Sequence, residues 1–219
     1  METKLVIFDL DGTLVDTLAD LAAAMNTVLS RLGYPTHPVA DYRFKVGNGV
    51  AKLVERSLPE AARQQPSVVA DALQRFLDYY NRHDMDATAP YDGIPELLRQ
   101  LKASGLQLAV ASNKPHAAAV EIVHHYFGQD LFDCIYGQRP NVPVKPDPVI
   151  VHDILRTLDV SAGQTLYVGD SAVDMETARR GGITSVGVLW GFRPESELRE
   201  AGACHIVSHP SEIFRIFAG

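Results

Sequence analysis

The sequence predicts an α/β fold, a Rossmann-like parallel sheet core with an inserted helical cap domain. Three observations carry this expectation. Short apolar runs alternate with amphipathic stretches through most of the chain, the rhythm of strands joined by crossover helices. Between residues 16 and 85 that rhythm stops, and the pattern there is helical with no clear strand. Acidic residues stand directly after several apolar runs, where a parallel sheet gathers its functional groups.

The elements follow in order. Val6-Ile7-Phe8 reads as a buried first strand, over 5–8, and Asp9 and Asp11 come at its exit with Gly12 and Thr13. Leu18, Leu21, Ala22, Met25, Val28, Leu29 and Leu32 recur at helical spacing until Gly33, and 70–80 is helical again. One crossover seldom needs so long a connection, so this segment reads as a cap over residues 16–85, with the core built from 1–15 and 86–219. Further strands are expected at 106–111, 133–136, 166–168, 185–189 and 205–207, and helices at 94–104, 117–127, 149–158 and 175–180. Gly105 and Gly181 stand just past helical patterns, where a left-handed C-terminal residue is expected.

Composition narrows the function. The chain has 219 residues and a net charge of −7, against the basic face that nucleic-acid binding requires. No apolar run reaches the length of a membrane span. The opening Met-Glu-Thr-Lys lacks the basic-then-apolar order of a secretory signal. Cys134 and Cys204 read as buried free thiols of a reducing compartment. The expectation is a cytoplasmic protein that engages neither nucleic acid nor membrane.

The strand ends collect a chemical constellation. Asp9 and Asp11 follow the first strand; Ser112-Asn113-Lys114 follows the second; Lys145 sits in a proline-rich loop; Gly169-Asp170-Ser171 and Asp174 follow the strand at 166–168. Two carboxylates leaving a buried strand are costly unless a cation compensates them. Several carboxylates offer the hard oxygen ligands that suit Mg²⁺. Asp9 can attack phosphorus to form an aspartyl phosphate, and Asp11 can exchange protons with the leaving oxygen and the attacking water. Ser112, Asn113 and Lys145 would hold the phosphoryl group. Taken singly, each has a plainer reading: an Asp pair forms turns, Asp170 or Asp174 caps a helix, and most lysines are solvated. Their joint order at successive strand ends is hard to explain that way.

These motifs resemble the four motifs of the haloacid dehalogenase superfamily: Asp9-Leu10-Asp11-Gly12-Thr13, Ser112-Asn113, Lys145, and Gly169-Asp170-Ser171-Ala172-Val173-Asp174. The helical insert resembles the cap of its phosphoglycolate phosphatase and β-phosphoglucomutase branch. The resemblance implies Asp9 as nucleophile and Asp11 as acid/base. It implies Mg²⁺ held by Asp9, the Asp11 backbone carbonyl and Asp170, with Asp174 supporting the metal or Lys145. The expected activity is a Mg²⁺-dependent phosphatase acting on a small phosphorylated metabolite, with 2-phosphoglycolate the first candidate. A phosphomutase is the alternative within the fold, and a phospho-accepting signalling domain is the alternative outside it. A dehalogenase would need neither Asp11 nor a metal.

Outside the core motifs, Arg43 stands before Gly47-Asn48-Gly49 and could read a substrate carboxylate through a bidentate contact. That glycine pair is expected to be a cap loop, since it lacks the strand and third glycine of a dinucleotide fingerprint. The eight histidines are scattered and predict no zinc site. Trp190 and Phe192 could line the pocket mouth or make an ordinary apolar contact.

Overall fold

The computed structural model describes residues 2–218. Strand β1 (Leu5–Phe8) is wholly buried. The chain then forms a short antiparallel ribbon of β2 (Val15–Asp16) and β3 (Ala89–Pro90), between which the helical insert runs. Strands β4 (Gln107–Pro115), β5 (Cys134–Gln138), β6 (Thr165–Gly169), β7 (Thr184–Val188) and β8 (His205–Val207) join β1 in a six-stranded sheet. Its order is β5-β4-β1-β6-β7-β8, and every pairing is parallel.

Strand alternation divides the core into two layers. Val6 and Phe8 face a cluster that includes Leu98 and Leu101, Ile122 and Val123, and Ile213. Leu5 and Ile7 face Ile150, Val151, Ile154 and Ala178 on the other side. The first layer therefore comes from helices at Ile94–Ala103, His116–Phe127 and Pro210–Ala218, the second from those at Val149–Leu158 and Ala172–Arg180. A parallel sheet covered on both faces needs such continuous apolar strands.

The insert comprises α1 (Leu18–Arg31), a 3₁₀ turn (Val39–Phe44), α2 (Val50–Ser57), α3 (Glu60–Arg63) and α4 (Pro66–Tyr80). It has its own apolar cluster, including Met25, Leu29, Leu53 and Phe76, joined by Phe192 from the core. Asp20 fastens the return crossing: its carboxylate accepts from the backbone N–H groups of Ala87 and Thr88 and from the Thr88 hydroxyl.

Four details differ from the sequence expectation. Strand β4 continues past residue 111 through Ser112-Asn113-Lys114, because its register with β5 shifts between Ala111 and Pro115. The helix expected at 175 begins at Ala172, since Ser171 and Asp174 cap each other and bring a polar first turn into the helix. Gly105 has φ +83° as expected, but Gly181 stays right-handed at φ −79° and Gly182 takes the left-handed position at +68°. Cys134 is buried, whereas Cys204 is exposed, because it precedes the edge strand β8. Among the described residues no helix is long and apolar enough to cross a membrane.

Candidate active site

β1 lies at the middle of the sheet. From it the chain builds β4 and β5 on one side, then returns to build β6, β7 and β8 on the other. The carboxyl end of β1 is thus the topological switch point, where open α/β sheets have their crevice. Asp9 stands there, its backbone N–H donating to the Val168 carbonyl at 2.9 Å. The chain then turns back, with Leu14 N–H donating to the Leu10 carbonyl and Gly12 at φ +86°.

Asp9, Asp170 and Asp174 are buried, and each offers a carboxylate oxygen within 4.8 Å of the others. Burial and the neighbouring Asp174 raise Asp9 to about 7, against the opposing pull of Lys145. Burial, then Asp174 and Asp9, push Asp170 well above the usual carboxylate range. Lys145 offsets part of this charge. Its Nζ lies 2.9 Å from Asp9 Oδ1 and 2.8 Å from Asp174 Oδ1, and donates to the Tyr167 hydroxyl at 3.1 Å. Burial alone would lower the Lys145 pKa, but Asp174 and Asp9 outweigh it and hold the ammonium well above its ordinary value. Asn113 fixes the backbone of Lys145, accepting from its N–H at 2.8 Å and donating to its carbonyl at 3.1 Å.

Asp170 differs from its neighbours. Its Oδ2 accepts from the Phe192 N–H at 2.7 Å, yet it has no salt-bridge partner among the described residues. A buried carboxylate without a counter-charge, beside a second at about pKa 7, fits a hard divalent cation. Asp174 is engaged differently: Oδ1 meets Lys145, and Oδ2 accepts from the Ser171 N–H and hydroxyl. Its two oxygens orient Lys145 and the helix start. The close approach depends on glycine. A Cβ at Gly12 would lie 2.5 Å from Asp170 Oδ2; one at Gly191 would lie 2.3 Å from Asp170 Cβ; one at Gly169 would lie 2.3 Å from Asp174 Cβ.

Above these groups is a cleft that opens to solvent. Asp9, Asp11, Ser112, Asn113, Lys114 and Asp170 form its polar floor, and the insert adds Leu21, Val46, Val50 and Leu53 as apolar wall. The Gly47–Gly49 loop closes one side, with the Asn113 amide donating to the Gly47 carbonyl at 3.0 Å. Ser112 Oγ accepts from the Lys114 N–H at 3.2 Å, which leaves its own proton for a ligand. Phe192 lines the cleft, whereas Trp190 donates through Nε1 to the Thr13 carbonyl.

Three expected site residues lie outside the cleft lining: Asp174, whose oxygens are taken by Lys145 and Ser171, then Arg43 and Lys145. Arg43 donates through Nε to the Phe192 carbonyl and through Nη2 to the Gly191 carbonyl, each at 3.0 Å. Its guanidinium fork therefore clasps the core loop, and the cation facing the cleft on that side is Arg193, which donates to the Val46 carbonyl. Lys145 is the third: its three contacts point at Asp9, Asp174 and Tyr167, so its charge reaches the cleft mainly through Asp9. Phe192 lines the cleft as the sequence allowed, whereas Lys114 and Arg193 reach the site with no role expected from sequence. Of these two, Lys114 alone carries a sequence signal, its adjacency to Ser112-Asn113.

A parallel sheet with an acidic switch point beneath a helical cover defines a capped Rossmann-like enzyme. A family model described as haloacid dehalogenase-like hydrolase matches residues 6–188, and the chain belongs to that family. It is 30% identical to a phosphoglycolate phosphatase of Psychrobacter arcticus, over all of this chain and 94% of that one. It is 34% identical to a phosphoglycolate phosphatase of Pseudomonas syringae pv. tomato, over 93% of this chain and 76% of that one. The crystal structure of a predicted phosphoglycolate phosphatase from Haemophilus somnus superimposes with a TM-score of 0.91 at 28% identity, covering 99% of this chain and 98% of that one.

Proposed function

We propose that this enzyme is a Mg²⁺-dependent phosphatase of small phosphate monoesters, working through an aspartyl phosphate on Asp9, with 2-phosphoglycolate the first candidate substrate. The observation that carries the reading is the environment of Asp9. Lys145 and the Leu10 N–H both bond to Oδ1, which leaves Oδ2 as the attacking oxygen on the cleft side. The relatives named as phosphoglycolate phosphatases support the substrate class.

Asp9 Oδ2 forms a bond to phosphorus as the ester P–O bond breaks, and Asp11 gives the departing oxygen its proton. Asp11, now a carboxylate, takes a proton from water, whose oxygen attacks phosphorus and releases inorganic phosphate and free Asp9. The Ser112 hydroxyl donates to a phosphoryl oxygen, and Lys145 holds Asp9 in line while balancing its charge. Asp9, Asp170 and the Asp11 backbone carbonyl would hold Mg²⁺, which supplies charge stabilisation for the phosphoryl oxygens. The insert at 16–85 acts as a cap that excludes water with the apolar residues Leu21, Val46, Val50 and Leu53. Inside a cell the enzyme would act in the cytoplasm on a soluble metabolite.

The test is a panel of small phosphorylated metabolites assayed with Mg²⁺ and with EDTA. Multiple turnover of 2-phosphoglycolate, abolished by EDTA, is expected. A single equivalent of phosphate transferred without turnover would favour a phospho-acceptor, and interconversion of sugar phosphates without release would favour a mutase.

A further inference from the structure

A second buried lysine has no part in the chemistry above. Lys114 is 4% exposed, its Nζ 3.1 Å from Asp11 Oδ1 and 2.7 Å from the Tyr80 hydroxyl oxygen. It also lies over the Tyr80 ring, 4.7 Å from its centroid. Burial pulls the Lys114 pKa down, but Asp11 and Tyr80 more than reverse this. The root of the side chain is rigid. The Lys114 N–H donates to Ser112 Oγ, and Gly137 of β5 packs so close that a Cβ there would lie 2.6 Å from the Lys114 carbonyl oxygen.

The two partners of Nζ belong to different parts of the molecule. Asp11 is on the core turn after β1, and among the described residues Lys114 is the one hydrogen-bond donor to its carboxylate. Tyr80 is the last residue of α4, in the cap, stacked on Phe76 with ring centroids 5.3 Å apart. The sheet thus sends one ammonium up to meet an acid from the core and a hydroxyl from the cap.

We propose that Lys114 is the positioning residue for Asp11, and that the Tyr80 hydroxyl ties this position to α4, so that the acid/base is aimed only when the cap helix is in place. The proposal rests on Asp11 being the acid/base. It assigns Lys114 no contact with the phosphoryl group. The cap then does more than exclude water: its seating sets the direction of the carboxyl that must reach the leaving oxygen. A carboxyl held by one contact loses its aim when that contact goes, whereas Asp9, held by Lys145 and by Leu10, does not.

A double-mutant cycle tests this. kcat/KM is measured for an alkyl phosphate and for p-nitrophenyl phosphate, whose leaving group scarcely needs a proton. Lys114→Met, of similar length and uncharged, should lose about 10–100-fold on the alkyl ester, as for removal of an orienting partner. It should lose far less on p-nitrophenyl phosphate. In an Asp11→Asn background the same change should have no further effect. Tyr80→Phe, which keeps the ring stacking, should show a smaller loss of the same kind that disappears in Lys114→Met. Equal losses on both esters, or losses that multiply with Asp11→Asn, would overturn the proposal while leaving the phosphatase reading intact. If Asp11→Asn itself matched wild type on the alkyl ester, the acid/base assignment would fall, and this inference with it. Should Lys114→Met not fold, the Tyr80→Phe and Asp11→Asn pair decides the matter alone, by the same leaving-group and additivity criteria.

Discussion

The rim of the sheet and the inner face of the cap border the same cleft but are built in opposite ways. On the rim, Asp9, Asp170, Asp174, Lys114 and Lys145 are all buried, and glycines at 12, 169 and 191 make room for the carboxylates. On the cap side, Leu21, Val46, Val50 and Leu53 present hydrocarbon, and polar fastening goes through backbone carbonyls at Val46, Gly47, Gly191 and Phe192. The rim is preorganised at an electrostatic cost, as a catalytic centre must be. The cap carries no such crowding of carboxylates, and its polar links to the core include these bonds to backbone carbonyls and the Lys114–Tyr80 contact. In the proposed mechanism chemistry resides on the rigid side and access on the other.

The largest effect should come from the rim. Asp9→Asn removes the oxygen proposed to attack phosphorus and should abolish turnover and the phosphoenzyme, while the fold persists, because β1 packs through Leu5 to Phe8 and not through Asp9. Near wild-type kcat in a stringently purified variant would refute the nucleophile assignment. Next comes Gly12→Ala. Its methyl would lie 2.5 Å from Asp170 Oδ2 and 2.9 Å from a Phe192 ring carbon, at a φ of +86° that alanine resists. Displacing Asp170 by a fraction of an ångström to an ångström should reduce kcat by roughly 10²-fold and weaken metal retention. Unchanged kcat and Mg²⁺ affinity would show that the rim tolerates movement, and the contrast with the cap would fail.

Arg43 sharpens the cap side. Two charge-assisted bonds to carbonyls at an exposed position contribute about 1 kcal/mol. Arg43→Ala should therefore lower kcat/KM by a few-fold up to about tenfold, equally for 2-phosphoglycolate and p-nitrophenyl phosphate. A loss confined to 2-phosphoglycolate would restore Arg43 to the substrate-reading role that its sequence position suggested.

How much of this was legible in the sequence follows the same division. The strands of the core announce themselves as apolar runs, and the next residues must stand at the sheet's rim. Asp9, Asp11, Ser112, Asn113, Asp170 and Asp174 could therefore be gathered from order alone. Lys145 follows no strand; its proline-rich loop implies a fixed position, but the direction of its ammonium depends on Asp174 and Tyr167 arriving from elsewhere. Contacts across the cleft were illegible. Arg43 reaches residues 148 and 149 positions away, and Lys114 reaches 34 positions back to Tyr80, through packing that no local period encodes. The two-residue strands β2 and β3 are too short to show alternation, and Cys204 looked buried because edge and centre strands share a composition.

The smallest effect is thermodynamic and separates rim from cap without any substrate. Asp9 has an ordinary value of 3.8 and sits at about 7 in the fold, raised chiefly by burial and Asp174. Between these values the native protein keeps a proton that the unfolded chain has lost. Folding stability contributed by this group is therefore full below about pH 4 and is lost as pH rises towards 7. Asp170, also raised, adds a loss of the same sign. Each such proton contributes at most about 1.4 kcal/mol per pH unit to the slope. Histidines titrate in the same window, so the informative quantity is a difference. In EDTA, urea midpoints between pH 5 and 7 should fall more steeply for wild type than for Asp9→Asn, which has no carboxylate to ionise there. Mg²⁺ should flatten the wild-type slope, because a cation replaces the proton as the partner of the crowded acids. Arg43→Ala, being on the cap, should leave the slope as in wild type. If wild type and Asp9→Asn had the same slope in EDTA, the rim would not store the charge strain attributed to it, and its contrast with the cap would reduce to one of polarity alone.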